Sequence, residues 1–368
     1  MEIIINILHF VKVLLVFSIL IIVHEWGHFI MARRLGIRVE RFSIGFGKKI
    51  FSRKSGDTEF MVSAIPLGGY VKMAGDERSQ CEGKADEFYS HPVGHRSLVV
   101  LMGPVVNFLF AYVCFYLLFV TGFPRWAPKV GEIRPDSPAQ QAGLQKGDYI
   151  FSINGQEVET WIDMEQIIRN SDQQELYFHI RRDGNILSKA ITPTFFELKN
   201  EFGQKESIPR IGVGPSGDFV LETNGPLASL GLAWHELIQI PIMTFKMLFH
   251  ISVGDVPAKG NIGGPVLIFW AIWESIRLGL AHVIYITAII SASLAVINLF
   301  PLPVLDGGHV FFMAIEKMRG RPLSPKIDEF LTKAGMGILL LLVIYVFYND
   351  ITQFDIIGYL KNFIQGLF

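Results

Sequence analysis

His24-Glu25-Trp26-Gly27-His28 closes an apolar run that starts at Ile3 and continues almost unbroken to Val23. As a helix, that run is long enough to cross a hydrocarbon core of about 30 Å. On a helix, H-E-x-x-H sets two imidazoles at i and i+4, one turn apart on one face, where both can ligate one zinc ion. The glutamate beside the first histidine can then take a proton from a water held there. Ionisable groups packed so closely in a membrane helix are costly, which marks them as functional by default. The competing reading is a chance match, with the histidines satisfied as core residues.

Composition agrees with a membrane protein. Of 368 residues, 50% are hydrophobic and 18% charged, less than the quarter or so typical of soluble domains; mean hydropathy is +0.38. The chain reads as a polytopic α-helical membrane protein with a polar insert. A net charge of −1 argues against nucleic-acid binding. Cys81 and Cys114 fall in a loop and in an apolar span, so neither a disulfide nor a metal knuckle is expected. No small-residue cleavage site follows the first apolar run, which reads as a retained span and not a signal peptide.

About four segments qualify as transmembrane helices: residues 3–33, 97–123, 281–300 and 331–348. His9 and Lys12 are polar exceptions in the first, and Lys12 can snorkel to an interface. The loop after the first span carries Arg33, Arg34, Arg38, Arg41, Lys48, Lys49, Arg53 and Lys54 against Glu40. Lys317, Arg319, Arg321 and Lys326 follow the third. Both loops read as cytoplasmic, which puts the termini and residues 124–250 outside. Spans one and three then run in the same direction, and the zinc motif and the end of span three meet near the cytoplasmic leaflet.

Just past span three comes Asn298-Leu299-Phe300-Pro301-Leu302-Pro303-Val304-Leu305-Asp306-Gly307-Gly308-His309. Catalytic zinc usually takes three protein ligands, and Asp306 is the candidate third beside His24 and His28. Pro301 and Pro303 break the helix and free backbone carbonyls, tolerated at membrane depth only where protein or a water-filled cavity shelters them. Gly307 and Gly308 permit a tight turn that aims the carboxylate. Alone, Asp-Gly also reads as a helix-ending turn, and His309 and His95 are rival ligands. Asn298 can donate to a substrate carbonyl or simply bond a neighbouring helix.

These residues resemble the site-2 protease family, the RseP-type intramembrane zinc metalloproteases. The family pairs H-E-x-x-H in its first span with N-x-x-P-x-P-x-x-D-G at the third, matched here by His24, Glu25 and His28 and by Asn298, Pro301, Pro303, Asp306 and Gly307. Ser43-Ile44-Gly45-Phe46-Gly47 looks like the family's membrane-associated G-x-G loop, and Gly103-Pro104-Val105-Val106-Asn107 like its second-span motif. The resemblance implies a Zn²⁺ cofactor held by His24, His28 and Asp306, Glu25 as the base, and Asn298 on the substrate backbone. It implies a bacterial inner-membrane endopeptidase in regulated intramembrane proteolysis and stress response. Its substrates would be single-span proteins already trimmed outside, such as anti-sigma factors, or remnant signal peptides. Some family members carry two PDZ domains; this chain has room for one.

A cut within a helix requires that helix to unwind. Residues 60–73 read as a hydrophobic hairpin turning at Pro66-Leu67-Gly68-Gly69, folded back as a membrane-associated β-hairpin. Its edge can pair with an extended substrate. Gly68 and Gly69 therefore join Asn298, Pro301 and Pro303 as substrate-binding candidates. An ordinary surface hairpin is the alternative.

In the insert, Val130 to Ile133 reads as a strand, Asp136 to Asp148 as a short helix and turn, and Tyr149 to Val158 as strand and turn, with Trp161 to Asn170 as a groove-side helix. S-P-A-x-x-A-G-L-x-x-G-D and I-N-G resemble a bacterial PDZ domain of α+β fold. Such a groove can take a peptide or its C-terminus, or the domain can act as a spacer that limits access by bulk. Residues 227–249 read as an amphipathic interfacial helix; whether residues 266–280 enter the bilayer is open. Residues 351–368 read as amphipathic and interfacial.

Four segments result. They are a protease core with the hairpin loop (1–125), an extracytoplasmic PDZ domain with a following strand (126–215), an interfacial segment (216–280) and a C-terminal membrane core (281–368). The expected partners are single-span substrates and the lipid bilayer. The alternatives are a catalytically silent PDZ scaffold, against which Glu25 argues, and a zinc transporter, against which the lack of repeated acidic or His-rich spans argues.

Overall fold

The computed structural model describes residues 2–78, 81–199, 205–259, 261–322 and 324–353. In chain order the elements are α1 (Glu2–Arg34), β1 (Val39–Ser55), β2 (Thr58–Met73), α2 (Val93–Thr121), β3 (Phe123–Trp126), β4 (Val130–Ile133), α3 (Pro138–Gln141), β5 (Tyr149–Ile153), β6 (Gln156–Glu157) and α4 (Trp161–Arg169). There follow β7 (Leu176–Arg182), β8 (Asn185–Ile191), β9 (Thr194–Lys199), β10 (Lys205–Arg210), β11 (Val213–Pro215), β12 (Phe219–Glu222), α5 (Pro226–Val253), α6 (Pro265–Leu278), α7 (Leu280–Asn298), α8 (Asp306–Arg319) and α9 (Pro325–Gln353). The chain divides into two compact units. The first comprises Met1–Tyr116, Gly231–Lys246 and Pro257–Phe368; the second comprises Leu117–Leu230 and Met247–Val256.

Among the described residues, five helices are long and apolar enough to cross a membrane: Ile4–Arg34, Val93–Thr121, Pro226–Val253, Leu280–Asn298 and Glu329–Thr352. That is one more than the four expected. The addition is α5, whose polar Trp234-His235-Glu236 stretch made it read as interfacial. Within the first unit Glu236 is not left bare: the Tyr285 hydroxyl donates to its Oε1 at 2.8 Å, and a partnered polar group at membrane depth costs far less than a free one. Glu236 meets the start of α7, and Phe245 stacks on Phe300 just past its end, with centroids 5.7 Å apart. The two helices therefore run side by side in one direction.

The 14-residue α6 is about 21 Å long by its rise, short of a full crossing. A single residue, Gly279 at φ 113°, joins it to α7. Ile272 of α6 packs with Val283, Ile286 and Ile290 of α7 and with Val13, Val16 and Leu20 of α1. The buried Asp350 on α9 fixes the start of α6, accepting from the backbone N–H of Gly264 at 3.0 Å, Val266 at 3.0 Å and Leu267 at 3.3 Å. Those are orphan amides of a helix start. Most of the expected interfacial segment 351–368 lies outside the described residues.

The β-structure of the first unit corrects the hairpin reading. Residues 60–73 are not a hairpin in themselves. They belong to β2, whose antiparallel partner is β1, and the reversal is at Gly56-Asp57, where Ser55 pairs Thr58. Gly56 has φ +61°, a conformation that glycine adopts without strain. At Gly68, φ is +136° and a Cβ would lie 1.9 Å from the Phe46 ring. The Pro-Leu-Gly-Gly stretch is thus a bend under an aromatic ring, not a reversal. Because of it, Phe42 pairs with Phe60 on one side and Val71 on the other, which leaves residues 69–73 as an edge.

The second unit is an α+β domain. Its four-stranded sheet runs β6-β5-β7-β8, with two-stranded pairs β10-β9, β11-β4 and β12-β3. Asn154-Gly155 and Asp183-Gly184 turn the hairpins, all four with positive φ, as two-residue hairpin turns of this twist demand. Thr160 opens α4 with a capping box to Asp163. Trp161, Met164 and Ile168 of that helix join Ile150, Ile153, Phe178 and Ile180 in the core. A cavity of about 230 Å³ lies between α4 and residues 208–213, and Arg210 and Glu165, an ion pair of 3.0 Å, are among the residues that line it.

Candidate metal centre and active site

Close packing of α1 on α2 places the histidines. A Cβ on Gly27 would lie 2.2 Å from Met102 O, and one on Gly103 would lie 2.4 Å from His28 Nε2. Glycine on both helices lets their backbones approach as small residues do in membrane bundles. The carboxylate arrives by a second close approach. Leu299 ends α7, the segment 301–304 carries no helix, and α8 starts at Asp306. A Cβ on Gly307 would lie 2.2 Å from Leu299 O, and one on Gly308 would lie 2.0 Å from Leu302 O. Neither glycine has positive φ. Their role is proximity, which seats the first turn of α8 directly on the broken end of α7.

The result is a cluster of His24, His28 and Asp306, with one ligand atom from each lying within 4.8 Å of the others. His24 Nε2 is 3.2 Å from Asp306 Oδ2, His28 Nε2 is 3.6 Å from Asp306 Oδ1, and the two Nε2 atoms are 3.2 Å apart. His28 Nδ1 faces Val99 O at 3.0 Å. A carbonyl only accepts, so the His28 proton sits on Nδ1 and its Nε2 turns a lone pair into the cluster. Asp306 Oδ2 is buried with no hydrogen-bond partner among the described residues. Lone pairs converging at these distances repel unless a cation lies among them. The donor set of two imidazoles and one carboxylate is that of a three-ligand zinc site.

Around the cluster is a cavity of about 550 Å³ lined by Glu25, Tyr70, Val71, Asn298, Arg96 and Glu316 among others. The Val71 backbone amide faces the Glu25 carboxylate, and a Cβ on Gly69 would come within 3.3 Å of Glu25 Cγ. The sheet edge therefore lies directly against Glu25. The Asn298 amide is 3.4 Å from His24 Nε2. His309 lines the cavity wall, while His95 does not; neither belongs to the cluster. Pro301 and Pro303 do not line the cavity either, and Pro303 lies against Gly335 of α9, where a Cβ would be 2.7 Å from its ring.

One ionic group at the cavity escaped the sequence reading. Glu316 on α8 accepts from Arg96 Nη2 at 2.7 Å and from Arg78 Nη2 at 2.6 Å. Both guanidiniums lie over the Tyr89 ring, at 4.4 Å for Arg78 and 5.2 Å for Arg96. Arg96 and Glu316 are 220 residues apart, so no local spacing signals the pairing.

The family model for peptidase family M50 matches residues 12–342 of this chain. The chain belongs to that family. A Campylobacter jejuni protein named "Putative zinc metalloprotease Cj1068" is 36% identical over 349 residues, which cover 94% of each chain. The regulator of sigma-E protease RseP of Salmonella typhimurium is 31% identical over 439 aligned positions, covering 91% of this chain and 96% of its own. The Escherichia coli protein of that name is 30% identical over 442 positions, with the same coverage. Both alignments are longer than the 368 residues of this chain, so these relatives hold residues within the aligned region that have no counterpart in it. It is a membrane metalloprotease by family and by its apolar helices.

Proposed function

We propose that this protein is a zinc endopeptidase that hydrolyses peptide bonds within single-span membrane substrates, with its metal held by His24, His28 and Asp306. The observation that carries the reading is the convergence of these three side chains beside Glu25, toward the C-terminal end of an apolar helix. Zinc, when bound, supplies a Lewis acid that lowers the pKa of water toward about 7 and polarises a carbonyl. Glu25 is the general base, oriented by the Val71 amide. The Asn298 amide, at 3.4 Å from His24 Nε2, is placed to donate to the carbonyl oxygen under attack. Such a donor strengthens as negative charge develops there.

The edge at residues 69–73 supports a binding mode as well. An unwound substrate segment pairs with it as an added strand, which brings its backbone alongside Glu25. Charged and polar side chains on the cavity wall, among them Asn298, Arg96 and Glu316, support access of water to the site. The basic loop after α1 favours a cytoplasmic placement of this end in a bacterial inner membrane, with the α+β insert, read as a PDZ domain, outside. The protein's substrates are membrane-tethered regulators already trimmed outside, a reading that rests on the motif resemblance and is supported by relatives named "Regulator of sigma-E protease RseP".

The test uses a single-span substrate reconstituted with the protein in liposomes, with product masses determined. The expected cut lies inside the apolar span. Products ending only in the substrate's water-exposed flanks would exclude intramembrane cleavage.

A further inference from the structure

Asn107 sits in the middle of α2 and is 0% exposed. Its side-chain amide meets His24 Nδ1 at 3.2 Å with the nitrogen as the nearer atom. Its oxygen, Oδ1, is buried with no hydrogen-bond partner among the described residues. A buried acceptor left this way costs about 1–3 kcal/mol. The nitrogen and oxygen of an amide are nearly isosteric, and which is which must be read from the hydrogen bonds around them.

The His24 ring decides it. Its Nε2 faces His28 Nε2 and Asp306 Oδ2, each at 3.2 Å. To offer a lone pair there, the neutral ring must carry its proton on Nδ1. That N–H needs an acceptor, and an NH₂ group is none. Turning the amide over puts Oδ1 in front of Nδ1, which gives the ring N–H an acceptor and Oδ1 a donor, and moves the NH₂ group into the buried place that Oδ1 held. We propose that Asn107 is the positioning residue of His24: its side-chain oxygen accepts from Nδ1–H and fixes the ring form that aims Nε2 at the metal.

His28 has the same arrangement, with Val99 O as the acceptor at 3.0 Å. Val99, Gly103 and Asn107 recur every four residues and share one face of α2. Gly103, between the two acceptors, has no room for a Cβ against either ring, at 2.4 Å from His28 Nε2 and 2.8 Å from His24 Cε1. Ser291 of α7 donates to the Asn107 backbone oxygen at 3.0 Å, which ties the helix that ends in Asn298 to the same turn. One face of α2 thus holds both rings, as outer partners commonly orient metal-binding histidines. Because Val99 acts through its backbone, Asn107 is the member of this face that substitution can probe.

The proposal rests on the zinc reading above. The experiment measures zinc affinity of the full-length protein in detergent, by competition with a chelator of known affinity. It compares wild type, Asn107→Asp, Asn107→Ala, Asn107→Leu and His24→Ala, with the melting temperature of each zinc-free protein as a control on folding. Aspartate keeps the acceptor and removes the donor, so Asn107→Asp should hold zinc within a few-fold of wild type. Alanine and leucine remove the acceptor, and affinity should fall about 10- to 100-fold. A loss in Asn107→Asp as large as that in Asn107→Leu would mean that the side chain acts as a donor, and would overturn the proposal. So would wild-type affinity in Asn107→Ala or Asn107→Leu. If wild type holds no more zinc than His24→Ala, the metal site itself fails, and this assignment with it.

Discussion

Gly103 on α2 stands against the His28 ring so closely that a Cβ there would lie 2.4 Å from Nε2. Gly103→Ala should therefore push the imidazole out of the cluster. Overpacking of this kind costs about 1–3 kcal/mol in stability, and a misplacement near 1 Å costs on the order of 100-fold in rate. Zinc titration and cleavage assays on the purified variant check this. Wild-type values for both would show that α1 and α2 separate freely at this point.

Glu316 ties α8, which begins with Asp306, to the buried Arg96 of α2 and to Arg78. Glu316→Gln leaves a guanidinium 5% exposed without its counter-charge, a loss of about 3–5 kcal/mol. Burial by itself would push the Glu316 carboxyl up, but the Arg96 and Arg78 guanidiniums outweigh it and hold it below the usual glutamate range. Its contribution is full above that range and is lost as pH falls through the depressed value. The gap in melting temperature between wild type and Glu316→Gln should be constant near neutrality and narrow in acid. A gap that grows with acidification would contradict the pairing.

Val71 offers its amide to Glu25 from the sheet edge. Val71→Pro removes that N–H, the donor that orients the base. Cleavage should drop at least about tenfold, by the loss of a charge-assisted hydrogen bond, while zinc binding persists. Unchanged turnover would rule out this role for the Val71 amide.

In the second unit, Asp148 is fully buried and accepts twice from Arg182, with both bonds at 2.7 Å. Asp148→Asn should destabilise the α+β domain by about 3 kcal/mol and expose it to limited proteolysis. Zinc binding by the first unit should be unaffected. Equal protease resistance of the variant and the wild type would show that the pair adds little.

Much of the site was legible because its chemistry is local in sequence. His24, Glu25 and His28 lie within one helical turn, and Asp306 sits in a motif with Asn298. What the sequence could not show is approach between distant segments. Gly103 opens a motif in the sequence, but its contact with His28 exists only once α1 and α2 are packed, and Gly308 matters because Leu302 O occupies the place of its side chain. The hairpin was centred wrongly because Pro-Leu-Gly-Gly has turn composition, while the true reversal at Gly56-Asp57 lies among charged residues. The α5 helix reads as interfacial because apolar residues mix there with Trp234, His235 and Glu236, and the partner of Glu236, Tyr285, is 49 residues away.

The central claim is that Glu25 does chemistry at a metal held by its neighbours. The most direct measurement runs wild type and Glu25→Gln side by side at matched protein levels, with cleavage of a single-span substrate and zinc content determined on the same samples. The account predicts about one zinc per chain in both, as expected of a three-ligand site, and cleavage by the wild type alone. Normal turnover by a zinc-loaded Glu25→Gln protein, or cleavage by a wild type that holds no zinc, would contradict it.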